Sequence, residues 1–300
     1  IYSDEMLFAY GKMSGVAHAK IIEISPEDAL ATPGVKGVFT RKDLPGNNCY
    51  GMVVEDEPIF ADQIVRYAGE VIALVVADSM NAAIEGAKRI KVKYEQLDSL
   101  LCINEAVNSH VIVNEDFPDN VCASYSVNKG DAVKEMDESD IVLHRTYSTS
   151  LIEHAYLEPE SVFVEPLENG NVVIAGSMQH PFYIRQVVAN ALDIDQERVV
   201  VRPTTLGGSF GGKVEIIAAM ASRAAIAARS LGKPIKYVLS REDSIQQHHK
   251  RHAIDFSLSI GADTRGYLHS LIVDAKMDAG AYVNESPIVA WKTITCGPGP

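Results

Sequence analysis

Seven consecutive residues, Gly207-Gly208-Ser209-Phe210-Gly211-Gly212-Lys213, concentrate the chemistry this sequence can do. Four glycines in six positions leave no Cβ to keep a ligand away from the backbone amides. A strand is expected before the loop and an alanine-rich helix after it, the order that points a helix N-terminus at an anion. The spacing satisfies G-x-x-x-x-G-K of a phosphate-binding loop, yet Val214 stands where the magnesium-binding Ser or Thr belongs, and Pro203 to Leu206 hold the first glycine away from the strand. The dinucleotide fingerprint G-x-G-x-x-G is absent. A tight turn that needs positive φ is the purely structural account of the same residues.

Two other groups carry titratable chemistry. His248, His249 and His252 include a pair that would share a helical face, but no third ligand accompanies them and Lys250 and Arg251 make the segment cationic, so an exposed basic stretch is expected. Glu153 and His154 have the types of a base and its partner, and nothing in the sequence supplies a nucleophile for them. The cysteines at 49, 102, 122 and 296 form no C-x-x-C pair for zinc or an iron-sulfur cluster.

The elements that must position these residues follow from periodicity. Residues 19–24 read as a strand, and Ser25-Pro26-Glu27-Asp28 as a helix start capped by Ser25. Strands follow at 35–40 and 71–77, the second an unbroken apolar run that implies cover on both faces. Ser79 caps the next helix, which presents Ala83, Ala87 and Ile90 on one side. The pattern weakens between 98 and 137. Beyond it, strands are expected near 141–147, 162–165, 172–176 and 198–202, and helices near 181–192 and 216–231, the latter closed by Gly232 and Pro234. Strands at 235–239, 252–260 and 267–278 complete the pattern, with a hairpin turn at 262–266. The closing Cys296-Gly297-Pro298-Gly299-Pro300 reads as a turn with no terminal helix or strand.

The 300 residues, 47% of them apolar, can bury a substantial core and suit two domains. A net charge of -13 excludes a general nucleic-acid surface. No apolar run reaches the roughly 18 to 20 residues that span a bilayer, and the start lacks a signal peptide, so a soluble cytoplasmic protein with no membrane partner is expected.

The loop GGSFGGK resembles the GG-x-FGGK loop of the molybdenum hydroxylases, the xanthine dehydrogenase and aldehyde oxidase family. Other segments agree with that family in order and spacing: Ala17-His18-Ala19-Lys20 with Thr32-Pro33-Gly34-Val35, Glu57-Pro58-Ile59-Phe60 with Tyr67-Ala68-Gly69-Glu70 and Val75-Val76-Ala77-Asp78, Glu153 to Pro159, and Gly176-Ser177-Met178-Gln179. The resemblance implies an α+β chain: a hammerhead-type α/β domain over residues 1–105, a linker at 106–135, and the first part of a molybdopterin-binding α+β domain over 136–300. It implies a molybdenum-molybdopterin cofactor, in mononucleotide or cytosine dinucleotide form, with the metal held through the pterin and by no protein ligand. In such enzymes a base-activated hydroxyl on the metal attacks an electron-poor carbon, water supplies the oxygen, and electrons leave to 2Fe-2S clusters and FAD on partner domains or subunits.

By the same resemblance, Gln179 donates an amide hydrogen bond to an oxygen ligand of the metal, a role an amide fills without carrying charge; capping the next helix is its structural alternative. Gly208, Phe210 and Gly211 are the loop positions beside the cofactor, with core packing as the alternative for Phe210. Glu153 and His154 become scaffold near the cofactor. Val214 departs from xanthine-oxidising members, which carry a glutamate there. It implies an apolar substrate wall suited to aldehydes or uncharged N-heterocycles, and Glu215, turned about 100° away on a helix, does not replace the lost carboxylate. The family's general base lies far downstream, so no catalytic base is expected in this chain. The remaining part of the molybdopterin subunit, an Fe-S subunit, a FAD subunit and a small-molecule substrate are the implied partners. Tyr2 matches a family tyrosine after a missing opening segment, and the chain is expected to be a fragment or one half of a split subunit. A non-catalytic cofactor- or partner-binding fragment, and a P-loop-like nucleotide-binding protein, remain the other function classes.

Overall fold

The computed structural model describes residues 3–297; Tyr2 and the Pro298-Gly299-Pro300 end of the closing turn lie outside them. Strand Val71–Ala77 shows how the apolar runs are used. All seven of its residues are buried. Leu74 and Val76 face one core cluster, and Ile72 and Val75 face a second, as the unbroken run requires.

Compactness does not follow the consecutive division at residues 105 and 136. One unit joins the residues up to Ser99 with Glu153–His249, and the other joins Leu100–Ile152 with the residues from Lys250 on. The reason is a pairing that sequence order hides. Leu7–Met13 pairs antiparallel with Val71–Ala77 on one side and parallel with Ile235–Val238 on the other.

The first unit is built on a mixed seven-stranded sheet in the order Val199–Pro203, Val172–Gly176, Ser161–Pro166, Ile235–Val238, Leu7–Met13, Val71–Ala77, Val35–Phe39. A smaller sheet pairs Ala19–Ser25 with Ile64–Val65 and with Lys91–Gln96. Helix Met80–Arg89 is capped by Ser79, whose hydroxyl accepts from the Ala82 N–H, and it buries Ala83 and Ala87 as expected. Helix Glu27–Leu30 takes Pro26 as its cap residue, with no side-chain cap. Ser25 does not cap it, because its hydroxyl donates to Glu23 within the preceding strand. Helix Pro181–Leu192 has the bounds its periodicity predicts. Helix Glu215–Leu231 is buried from Glu215 through Ala228, as its alanine-rich sequence permits, with the buried Ser222 hydroxyl donating to the Ala218 carbonyl and Arg223 Nε to the Ile59 carbonyl. Gly232, at φ 64°, ends it in the left-handed conformation.

The second unit is a three-stranded antiparallel sheet in the order Leu268–Met277, Ile254–Ala262, Ile141–Thr149. Its hairpin is closed by Asp263, whose carboxylate accepts from the Arg265 and Tyr267 N–H groups. Helix Ala132–Asp137 buries Met136 beside Ser270. Ile141, Leu143, Tyr147 and Val273 stay exposed.

Several elements go beyond the sequence reading, among them three longer ones. Leu7–Met13 has glycine in its interior, which blurs alternation. Helix Arg241–Gln247 is announced only by its capping box, Ser240 with Asp243. Helix Ser286–Thr295 corrects the reading of the C-terminal stretch as lacking a terminal helix. No helix among the described residues is long and apolar enough to cross a membrane.

Candidate functional site

Strand directions gather the chemistry at one end of the large sheet. Val172–Gly176 and Val199–Pro203 run parallel, so the segments after them, 177–180 and 204–214, leave from the same end. Ser161–Pro166 runs antiparallel to Val172–Gly176, with Val162 opposite Gly176, which brings residues 153–160 to that end as well. Ile235–Val238 in turn is antiparallel to Ser161–Pro166, and its exit delivers helix Arg241–Gln247 and His248. Crevices of this kind, beyond the carboxyl ends of parallel strands, are where α/β sheets bind ligands.

Gln179 and the glycine loop meet there. The Gln179 N–H donates to the Lys213 carbonyl at 2.9 Å. Its side-chain Oε1 accepts from the Ser209 hydroxyl and from the Lys213 N–H, the latter at 3.3 Å. Two donors on the amide oxygen fix which end of the amide faces outward. The exposed Nε2 is left as a donor with no acceptor among the described residues. This answers the helix-capping alternative: His180, and not Gln179, is the cap residue of Pro181–Leu192, and no side chain caps that helix.

The loop itself is held from below. Gly208, Phe210 and Gly211 take φ of 98°, 53° and 95°. Phe210 is 76% exposed, which excludes core packing; an aromatic residue in the left-handed region is uncommon and here lifts its ring off the protein. The N–H groups of Gly208, Phe210 and Gly211 have no acceptor among the described residues. A Cβ on Gly207 would lie 2.5 Å from Glu158, and one on Gly212 2.6 Å from His248, so these glycines are required by close packing. At Gly211 the nearest atom to a Cβ would be His154 Nε2 at 4.0 Å, so the space above it is open.

Lys213 points inward. Its side chain is fully buried, with Nζ 2.8 Å from Glu158 Oε2, 3.0 Å from the Ser177 hydroxyl and 4.5 Å from the Tyr156 ring centre. The same Glu158 oxygen accepts from the Gly207 N–H at 2.7 Å and from Ser177 at 2.8 Å. Burial pushes the Glu158 carboxyl up, but Lys213, the Gly207 N–H and Ser177 outweigh it and hold it below the ordinary glutamate range. A lysine committed to this internal pair is not the outward phosphate-binding lysine of a nucleotide loop.

Val214 is the buried N-cap residue of Glu215–Leu231, and no side chain caps that helix. Glu215 is buried in the helix's first turn. Its charge adds to the burial that pushes the Tyr183 hydroxyl up.

The histidine segment corrects the expectation of an exposed basic stretch. Helix Arg241–Gln247 ends before it, so His248 and His252 share no helical face. The His248 side chain is fully buried, with Nε2 2.6 Å from the Gly212 carbonyl and Nδ1 2.5 Å from the His249 carbonyl. His249 Nε2 meets Glu57 at 2.6 Å, and His252 Nε2 meets the Ser286 hydroxyl at 2.9 Å. Sequence distance concealed these pairings; a lone histidine carries no signal for a carbonyl 36 residues away. Glu153, His154 and His248 place their ligand-type atoms within 4.8 Å of one another beside the loop.

Comparisons with known proteins identify the family of the chain. Residues 113–300 match the molybdopterin cofactor-binding domain, and residues 1–98 match the aldehyde oxidase and xanthine dehydrogenase, a/b hammerhead domain. The nicotinate dehydrogenase large molybdopterin subunit of Eubacterium barkeri is 31% identical over 298 residues, covering 97% of this chain and 68% of that subunit. The xanthine dehydrogenase of Dictyostelium discoideum is 31% identical over 284 residues, covering 93% of this chain but 20% of that protein. Among solved structures, the aldehyde oxidoreductase from Desulfovibrio desulfuricans shares the fold with a TM-score of 0.83 at 24% identity, over 92% of this chain and 32% of that one.

Proposed function

The chain belongs to the aldehyde oxidase and xanthine dehydrogenase family and carries its molybdopterin cofactor-binding domain, and from that premise we propose that it holds the molybdenum cofactor of a hydroxylase at the end of its large sheet. The observation that carries this reading is the fixed Gln179 amide beside the glycine loop. The outward donors are one side-chain NH2, on Gln179, and the free backbone N–H groups of Gly208, Phe210 and Gly211. That set is made only of neutral donors, the chemistry that suits oxygen atoms on a metal held by its own pterin. The open space above Gly211 supplies room for such a group.

When bound, the molybdenum cofactor supplies an oxygen derived from water to the substrate and takes up two electrons. The chain's own work is to hold and orient it. Gln179 donates from Nε2, with its oxygen clamped so that the amide cannot turn. Gly211 donates from the backbone, and Gly208 lets the loop pass over Tyr156, where a Cβ would meet the Tyr156 Cβ at 2.9 Å. Phe210 offers a ring at the mouth of the site, and Val214 is the apolar wall that favours aldehydes or uncharged N-heterocycles over xanthine.

The wider reading follows the family. Electrons pass to 2Fe-2S and FAD groups on partner subunits, the cofactor is the mononucleotide or cytosine dinucleotide form, and the base lies in the remainder of the subunit. We keep the division 1–105, 106–135 and 136–300 as the boundaries of its family domains. The scattered cysteines, with no C-x-x-C pair among them, suit a reducing compartment, the cytoplasm.

The test uses the full-length protein with its partners. Gly211→Val puts a β-branched residue at φ 95° in the open space, and it should fold, yet retain little molybdenum by elemental analysis. Full molybdenum occupancy in that variant would show that the cofactor lies elsewhere. Oxidation of xanthine much faster than of aromatic aldehydes would overturn the role given to Val214.

A further inference from the structure

We propose that His248 is a positioning residue that clasps the glycine loop as a doubly protonated imidazolium. The argument rests on hydrogen-bond arithmetic. Its two ring nitrogens each meet a backbone carbonyl, Gly212 O at 2.6 Å and His249 O at 2.5 Å. A carbonyl oxygen only accepts, and a neutral imidazole has one N–H to give, so both contacts are hydrogen bonds only if both nitrogens carry protons. The ring is fully buried, so both contacts lie out of reach of bulk solvent.

The surroundings supply the countercharge. Glu153 Oε1 lies 3.6 Å from Nδ1, and Glu160 Oε1, in a fully buried side chain, lies 3.6 Å from Nε2. The rings of His154 and Tyr156 meet His248 edge-on at 4.8 and 5.8 Å between centres, and they hold its plane. Gly212 has no room for a Cβ because the His248 ring occupies that space. The carbonyl that His248 fixes belongs to the Gly212–Lys213 peptide, whose N–H meets the Ser209 hydroxyl at 3.1 Å and Gln179 Oε1 at 3.3 Å, so the clasp anchors the end of the loop that follows Gly211. The consequence for the cofactor rests on the function proposed above; the clasp itself does not.

The same atoms invite a different reading, a metal ion held by Glu153, His154 and His248. A metal needs a ring nitrogen with a free lone pair. Both nitrogens of His248 are committed to carbonyls, so the geometry favours the clasp.

The experiment is hydrogen exchange, read by mass spectrometry over peptides covering residues 207–213 in the full-length protein, with molybdenum content measured alongside. His248→Phe keeps a ring and removes both donors; the hydrogen-bonded amides at the end of the loop, those of Gly212 and Lys213, should exchange roughly tenfold faster, as the loss of a net hydrogen bond implies. His248→Gln restores one donor toward Gly212 and should recover part of the protection. Unchanged loop exchange in His248→Phe overturns the proposal, and so does stoichiometric zinc that the unaltered protein retains after dialysis and the variant loses. Faster loop exchange with full molybdenum would keep the clasp and instead refute the cofactor's place on this loop. Should His248→Phe fail to fold, 15N-histidine spectra of the unaltered protein decide the matter: two protonated ring nitrogens on a buried histidine support the clasp, and one unprotonated nitrogen refutes it.

Discussion

Replacing Lys213 with Met separates the two readings of the glycine loop by the size and kind of the loss. Methionine keeps the unbranched apolar stem and deletes the ammonium. Lys213 is wholly buried, and its partner Glu158 is 37% exposed at the side chain. Breaking a buried pair by removing one partner typically costs about 3 to 5 kcal/mol, because the remaining charge is stranded. Here Glu158 keeps the Gly207 N–H and Ser177 as donors and faces water on one side, which lowers the expected cost to about 1 to 3 kcal/mol. At roughly 2 to 4 °C per kcal/mol for a protein of this size class, the melting temperature should fall by several degrees. Loop amides over 207–213 should lose protection, and a Lys213→Met/Glu158→Gln double variant should be less destabilised than the two single losses sum to, since the pair is one interaction. The assays are thermal melting and hydrogen exchange on the full-length protein. A nucleotide-binding loop predicts the reverse: little loss of stability, and loss of magnesium-dependent nucleotide binding. A shift in stability within about 0.5 kcal/mol, the range of an ordinary surface substitution, would refute the internal lock.

Gln179→Ala in the complete enzyme should lower kcat by about a hundredfold or more, the usual cost of losing one preorganised donor, with the melting temperature nearly unchanged because the side chain is exposed; unchanged turnover would remove Gln179 from the site. Gly212→Ala should destabilise by about 1 to 3 kcal/mol, since its Cβ would press on the His248 and His154 rings, whereas Gly211→Ala meets nothing closer than 4.0 Å and should cost only the roughly 1 kcal/mol of its backbone conformation. Equal melting temperatures for the two would contradict the packing described. The acid limb of stability should depend on Glu158. Its folded-state carboxyl titrates below the ordinary 4.5, so its contribution is present above that value and lost as pH falls through the depressed one. Glu158→Gln should therefore flatten the fall in melting temperature on acidification, and an unaltered acid limb would show that the carboxylate contributes nothing.

The sequence by itself determined the local pieces. The apolar run at 71–77, the cap at Ser79, the bounds of Pro181–Leu192 and the left-handed stop at Gly232 are decided by neighbours a few residues apart, through periodicity, capping and backbone sterics. The glycine loop was legible for the same reason: four absent Cβ atoms are a property of the residues themselves. The tertiary structure decided what those pieces face. Nothing in the order of the chain says that Leu7–Met13 lies between strands that begin at residues 71 and 235, or that this interleaving makes two discontinuous units. Lys213, which a motif reads as a hand held out to phosphate, turns inward because Glu158, 55 residues earlier in the chain, is delivered beneath it by an antiparallel strand. His248 reads in sequence as part of a solvated cationic run, since neighbouring charges are usually hydrated, and it is buried because two carboxylates and the Gly212 carbonyl, all from distant segments, converge on its ring. Residue type sets what a side chain is able to donate or accept, and those capacities are local. Partners depend on the register and direction of strands far apart in sequence, which only the folded sheet fixes.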